Sequence, residues 1–211
     1  MIRLFEMRLA SLLTAISLAN FVFFAPSESS PSPALTRSSF KIQPFITTRQ
    51  TIHTTKNFTS VMNSLYAEIG TIPQFPILAK NITSYNETSK LAFIEAINNA
   101  VGPKGFMLFQ EYNHGFWLPL FDLSTNLGLK RIILGNPLIA LTMLEHDLTA
   151  GLAVPVELLV RERRKEDGGG TDLVWNLPSS LAVAGSKDRR LLESARRLDG
   201  KLEDLIWEIA G

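Results

Sequence analysis

"LKRIILGNPLIALTMLEHDLTAGLAVPVELLVRE", residues 129–162, decides the fold. Residues 130–134 form a short apolar run with strand composition. Gly135-Asn136-Pro137 interrupts it. Glycine ends a strand, asparagine is a favoured N-cap, and proline suits the first helical position, where its missing N–H is no loss. The triplet therefore reads first as punctuation between a strand and a short helix. A second strand is expected over residues 154–163.

Working outward, "GFMLFQEYN" (105–113) predicts a buried strand, and "HGFWLPLFDL" (114–123) a short helix kinked at Pro119. "KEDGGGTD" (165–172) reads as a loose hairpin turn, with "LVWNL" (173–177) as the returning strand. Nearer the start, residues 47–55 carry β-branched strand composition. Asn57 or Thr55 then caps a helix whose Phe58, Val61, Met62, Leu65, Tyr66 and Ile69 share one face. Residues 71–86 read as an irregular connection. Asn86 opens a second helix with Leu91, Ile94, Ile97 and Val101 inward, stopped by Gly102-Pro103. Residues 187–210 predict a long helix whose Leu191, Ala195, Leu198, Leu202, Leu205 and Ile209 form a packing seam. Helices interleaved with mostly hairpin-connected strands give an α+β fold: a mostly antiparallel sheet packed on one side by helices, a two-layer sandwich.

The totals limit the function classes. A chain of 211 residues, 45% hydrophobic and 19% charged, suits one folded domain with tails. A formal charge of +1 supplies no basic stripe, so nucleic acid is not an expected partner. With no cysteine, thiolate nucleophiles, disulfides and cysteine-ligated metals are excluded together. Residues 1–25 combine Arg3 and Arg8 with an apolar run, which reads as a signal peptide or an N-terminal hydrophobic helix. Residues 26–41 form a Ser/Pro-rich linker, and residues 42–211 a single domain. Secretion or membrane association through this first segment is the expected localisation, with the cytoplasm as the alternative. Asn57, Asn81 and Asn86 each begin an Asn-x-Ser/Thr acceptor, consistent with secretion.

Taken in order, "FMLFQEYNHG", "KRIILGNP", "GLAVPVELLVRE", a glycine turn and "LVWNLPSSLA" resemble the bacterial and fungal domain of unknown function 302, in a diverged member of fungal type. The resemblance is strong over residues 106–182 and weaker over 45–70. It implies the α+β fold and homodimerisation, and no reaction. It also implies an Asp-His pair, where this chain has Asn113-His114, and an Asp at Ala153 within "LAVPV". Any chemistry resting on those two acids is absent here.

Candidate site residues follow. His114, after a strand, is the candidate catalytic residue, since its ordinary pKa near 6.5 suits proton transfer. Glu111 stands three residues earlier, which on a strand points it to the opposite face. The helix begun by Asn136 offers N–H groups at Leu138 and Ile139, so His114, Asn136, Leu138 and Ile139 are the candidate ligand-binding residues, for a small anion held in a cleft between them. Glu145-His146-Asp147 lacks metal-ligand spacing and reads as a helix end. Neither a metal nor a cofactor is expected. Ser179 and Ser180 read as a helix start, and Phe116, Trp117 and Phe121 as core packing or a dimer contact. The leading function is a non-enzymatic, self-associating module that binds a small ligand. An enzyme using His114 as general base and a purely structural interaction domain are the alternatives.

Overall fold

The computed structural model describes residues 41–71, 78, 82–123 and 126–211. The N-terminal apolar segment, almost all of the linker, Asn81 and most of the expected connection before Asn86 lie outside them.

Within Gln43–Gly211, five strands form one antiparallel sheet: β1 (Arg49–Thr54), β2 (Met107–Asn113), β3 (Leu129–Gly135), β4 (Val156–Glu162) and β5 (Thr171–Asn176), in the order β1-β5-β4-β3-β2. The helices are α1 (Phe58–Glu68), α2 (Glu87–Ala100), α3 (Pro137–Leu144), α4 (Pro178–Val183) and α5 (Arg189–Ala210). One face of the sheet carries Ile132, Leu134, Leu158, Val160 and Leu173, all fully buried under α1 and α5. On the other face Thr51, Gln110, Glu157 and Arg161 are exposed. This is the two-layer α+β sandwich that strand alternation and helix periodicity predict.

The expected seam of α5 is buried at every position, Leu191, Ala195, Leu198, Leu202, Leu205 and Ile209. Asp188 starts that helix by accepting from the N–H groups of Arg190 and Leu191. Asn57 and Asn86 cap α1 and α2 through Ser60 and Ser89, so two of the three glycosylation acceptors also serve as N-caps.

Two expectations are corrected. Leu91 is 58% exposed, because α2 turns Ile97, Phe93 and Ala96 toward Met107 and Phe109 instead. Residues 114–121 form two short 3-10 turns, His114–Phe116 and Leu118–Phe121, rather than one kinked helix. Pro119 at the start of the second turn donates no backbone hydrogen bond that would join them.

Among the described residues no helix is long and apolar enough to cross a membrane.

Candidate functional site

The β2–β3 ladder fixes where the candidate residues lie. Met107 pairs with Gly135 at one end and Asn113 with Lys130 at the other. Asn136 follows Gly135 and His114 follows Asn113, so the two stand at opposite ends of the ladder. With β3 spanning seven residues at about 3.3 Å each, they are roughly 20 Å apart. The cleft expected between them does not form.

At the Asn136 end the punctuation is realised in full. The Asn136 side chain accepts from the Leu138 N–H at 2.8 Å and donates to the Gly105 carbonyl at 3.0 Å. Pro137 has no N–H, and Ala140 N–H already bonds the Asn136 carbonyl at 2.9 Å. Of the first-turn donors only the Ile139 N–H has no partner among the described residues.

Beside this helix start lies a cavity of about 270 Å³, open to solvent on one side. Phe109, Ile139, Leu144, Val154, Pro155 and Leu198 form its walls, with Gly135 at its edge. A Cβ on Gly135 would lie 2.9 Å from the Pro155 Cβ and 3.3 Å from the Phe109 ring, so glycine keeps the wall close. Phe109 enters through a bulge: Leu108 pairs with Leu134 and Gln110 with Ile133, which leaves Phe109 as the extra residue. Asn136 and Ile139 line this cavity, and His114 and Leu138 do not. Leu138 packs instead against Ile97 and Met107 in a second apolar cluster. Sequence reasoning passed over Phe109, Leu144, Val154, Pro155 and Leu198, and no composition signal marks a bulge. Ala153, where the family pattern implies an acid, is buried in the main core.

The His114 end differs. The ring of His114 meets Trp117 edge-on at 6.1 Å, and among the described residues it has no hydrogen bond or ion pair. No carboxylate among the described residues orients it for proton transfer. The bulge at Phe109 shifts the strand's alternation, so Glu111 pairs with Ile132 on the helix-covered face. There Glu111 accepts from the Tyr66 hydroxyl and pairs with Lys130 at 2.7 Å. Burial, then the bond to Glu111, push the Tyr66 phenol above its usual range. Burial pulls the Lys130 ammonium down, but Glu111 and Tyr66 outweigh it and hold it above its ordinary value. Around the neighbouring turns Phe116, Leu120, Phe121 and Leu123 are exposed, Phe116 at 84%. Core packing of Phe116 and Phe121 is therefore corrected: the first turn lies against the start of β3, where a Cβ on Gly115 would meet the Leu127 carbonyl oxygen at 2.6 Å, but both rings face water.

On the open sheet face the Asp172 carboxylate is buried beneath Arg161 and His53, with His53 Nδ1 at 3.0 Å. Burial pushes this carboxyl up, yet hydrogen bonds from Arg161 and His53 and the charge of Arg163 hold it below the usual range. Asp199 behaves oppositely: burial raises it, and the bonds from Ser179, including its N–H at 2.8 Å, offset only part. Asp147 caps the turn at 148–152 through Thr149, and among the described residues no group of three or more His, Asp or Glu side chains converges on a metal position.

The family model "Domain of unknown function DUF302" matches residues 82–209. The crystal structure of an uncharacterized conserved protein DUF302 from Bacillus stearothermophilus aligns with a TM-score of 0.51 at 16% identity, over 76% of this chain and 97% of that one. It shows the shared fold. No curated protein matches the chain.

Proposed function

The chain belongs to the DUF302 family, and on that premise we propose a non-enzymatic, self-associating module that binds a small ligand beside Asn136. The observation that carries this reading is the cavity of about 270 Å³, near the lower bound of natural small-molecule sites. Among the described residues no acid orients His114 and no nucleophile stands beside it, which does not support the general-base alternative. Self-association runs through the exposed turn at Phe116, Trp117, Leu120 and Phe121, since clustered apolar side chains in water mark contact surfaces, with tryptophan among their strongest anchors.

Thermal denaturation of the full chain against a mixed set of neutral, cationic and anionic small molecules tests the ligand half. Binding to the native state alone raises Tm with ligand concentration. At least one class is expected to do so, and silence across all of them overturns the ligand reading. Sedimentation tests the other half: Trp117→Ser with Phe121→Ser is expected to shift the chain toward monomer. An unchanged dimer, or a monomeric parent chain, overturns that assignment.

A further inference from the structure

Resting on the cavity assigned above, we infer that its ligand is an uncharged, mostly apolar molecule with at most one hydrogen-bond acceptor, not an anion. The helix start that favours an anion in principle is already occupied by its own side chain. Asn136 uses its carbonyl oxygen on the Leu138 N–H and its amide on the Gly105 carbonyl. Pro137 contributes no donor, and Ala140 N–H is bonded within the turn. Among the described residues that leaves the Ile139 N–H as the open backbone donor of the turn, beside the second N–H of the Asn136 amide, enough for one hydroxyl or carbonyl oxygen. No charged side chain lines the cavity, so a carboxylate or phosphate entering it would lose its hydration without a counter-charge. The walls supplied by Phe109, Leu144, Val154 and Leu198 instead match aliphatic or aromatic carbon.

Size narrows the class. A dry apolar cavity of about 150 Å³ accommodates benzene, so one of 270 Å³ has room for about ten carbon-sized atoms. A straight-chain alcohol of about eight to ten carbons fits, with its chain along Phe109 and Leu198 and its oxygen toward the Ile139 N–H.

The test follows methyl resonances of Ile139, Leu144, Val154 and Leu198 on the full chain during titration with 1-hexanol, 1-octanol, 1-dodecanol, octanoate and inorganic phosphate. Affinity is expected to rise about fourfold per added methylene and to stop rising beyond about ten carbons. Octanoate at neutral pH is expected to bind at least about tenfold more weakly than 1-octanol, and phosphate not at all. Ala140→Leu fills the cavity from α3 and is expected to weaken octanol binding about tenfold or more while the circular dichroism spectrum is retained. If Ala140→Leu does not fold, Ala140→Val supplies the same test with a smaller group. Octanoate or phosphate shifting these methyls more strongly than octanol overturns the apolar class and leaves the ligand-binding reading standing. Alcohols that shift none of them overturn the class as well. Combined with silence in the broader thermal screen, that outcome removes the ligand site altogether. Equal octanol affinity in the filled variant overturns the location.

Discussion

At the Asn136 end of the β2–β3 ladder, apolar side chains from β2, α3, α5 and the approach to β4 surround a small hollow. At the His114 end Phe116, Leu120, Phe121 and Leu123, on and just after the 3-10 turns, face water. The same driving force acts on both, but at the first end the converging elements supply apolar walls, whereas at the second the facing elements supply charged side chains such as Arg161, Glu162 and Arg163. The two short turns at the His114 end meet the ends of β3 and β4 only along one side, where Leu118 and Leu123 share a more polar hollow with Arg161, Glu162 and Arg163, and Phe116, Leu120 and Phe121 stay outside it. Their apolar area can be removed from water only by a second body. An enclosed patch and a displayed patch thus follow from what the facing elements present at each place, apolar walls at one and charged side chains at the other.

Four sets of measurements break or sharpen this contrast. Leu198→Ala deletes core atoms at the enclosed end and is expected to cost about 3 kcal/mol in urea denaturation, whereas Phe121→Ala removes atoms already in water and is expected to cost under about 0.5 kcal/mol. Equal losses would erase the distinction between the two ends. Next in size, Asn136→Ala removes a cap and strands the Gly105 carbonyl, for an expected loss of about 2 kcal/mol, against less than about 0.5 kcal/mol for His114→Ala. Tyr66→Phe removes one hydroxyl from the Glu111–Lys130 cluster and should cost about 1 kcal/mol by the same assay. A neutral effect would show that this hydroxyl contributes nothing to holding α1.

The smallest effects are in pH dependence, and their signs differ between the ends. Asp172 lies toward the His114 end and has a depressed carboxyl. Its contribution to stability is full above the unfolded carboxylate value of about 3.9 and disappears as pH falls through the lower folded value. Asp199 holds the start of α4 at the Asn136 end, and its carboxyl is raised. It opposes folding above that raised value, and the cost is relieved as the solution is acidified toward the unfolded one. Asp172→Asn should therefore weaken the chain at pH 7 and flatten the acid limb. Asp199→Asn keeps an acceptor for the Ser179 N–H and should raise stability at pH 7 by less than about 1 kcal/mol. Stability-against-pH curves for the two variants that move in the same direction would refute these assignments.

Much of the fold was legible in the chain. The α5 seam, the Asn57, Asn86 and Asn136 caps, the glycine hairpin at 168–170 and the strand on each side of Gly135-Asn136-Pro137 all follow from local chemistry, because capping and face periodicity act within one or two turns. The candidate site was legible only in halves. Asn136 and Ile139 line the cavity, but the pairing of Asn136 with His114 required a register that no local signal carries. An antiparallel neighbour places the end of one strand beside the start of the next, so residues that each follow a strand land at opposite ends of the ladder.

The sequence by itself determined the strands, the helices α1, α2 and α5, the buried seam of α5, and that Asn136 begins a helix, since these depend on the period and caps of a single element. The tertiary structure alone decided that Phe109 bulges into a hollow, that Glu111 turns inward to Tyr66 and Lys130, and that Phe116 and its neighbours remain outside. Those outcomes depend on pairing register and on which side chains facing elements bring together, and both are relations between segments distant in the chain.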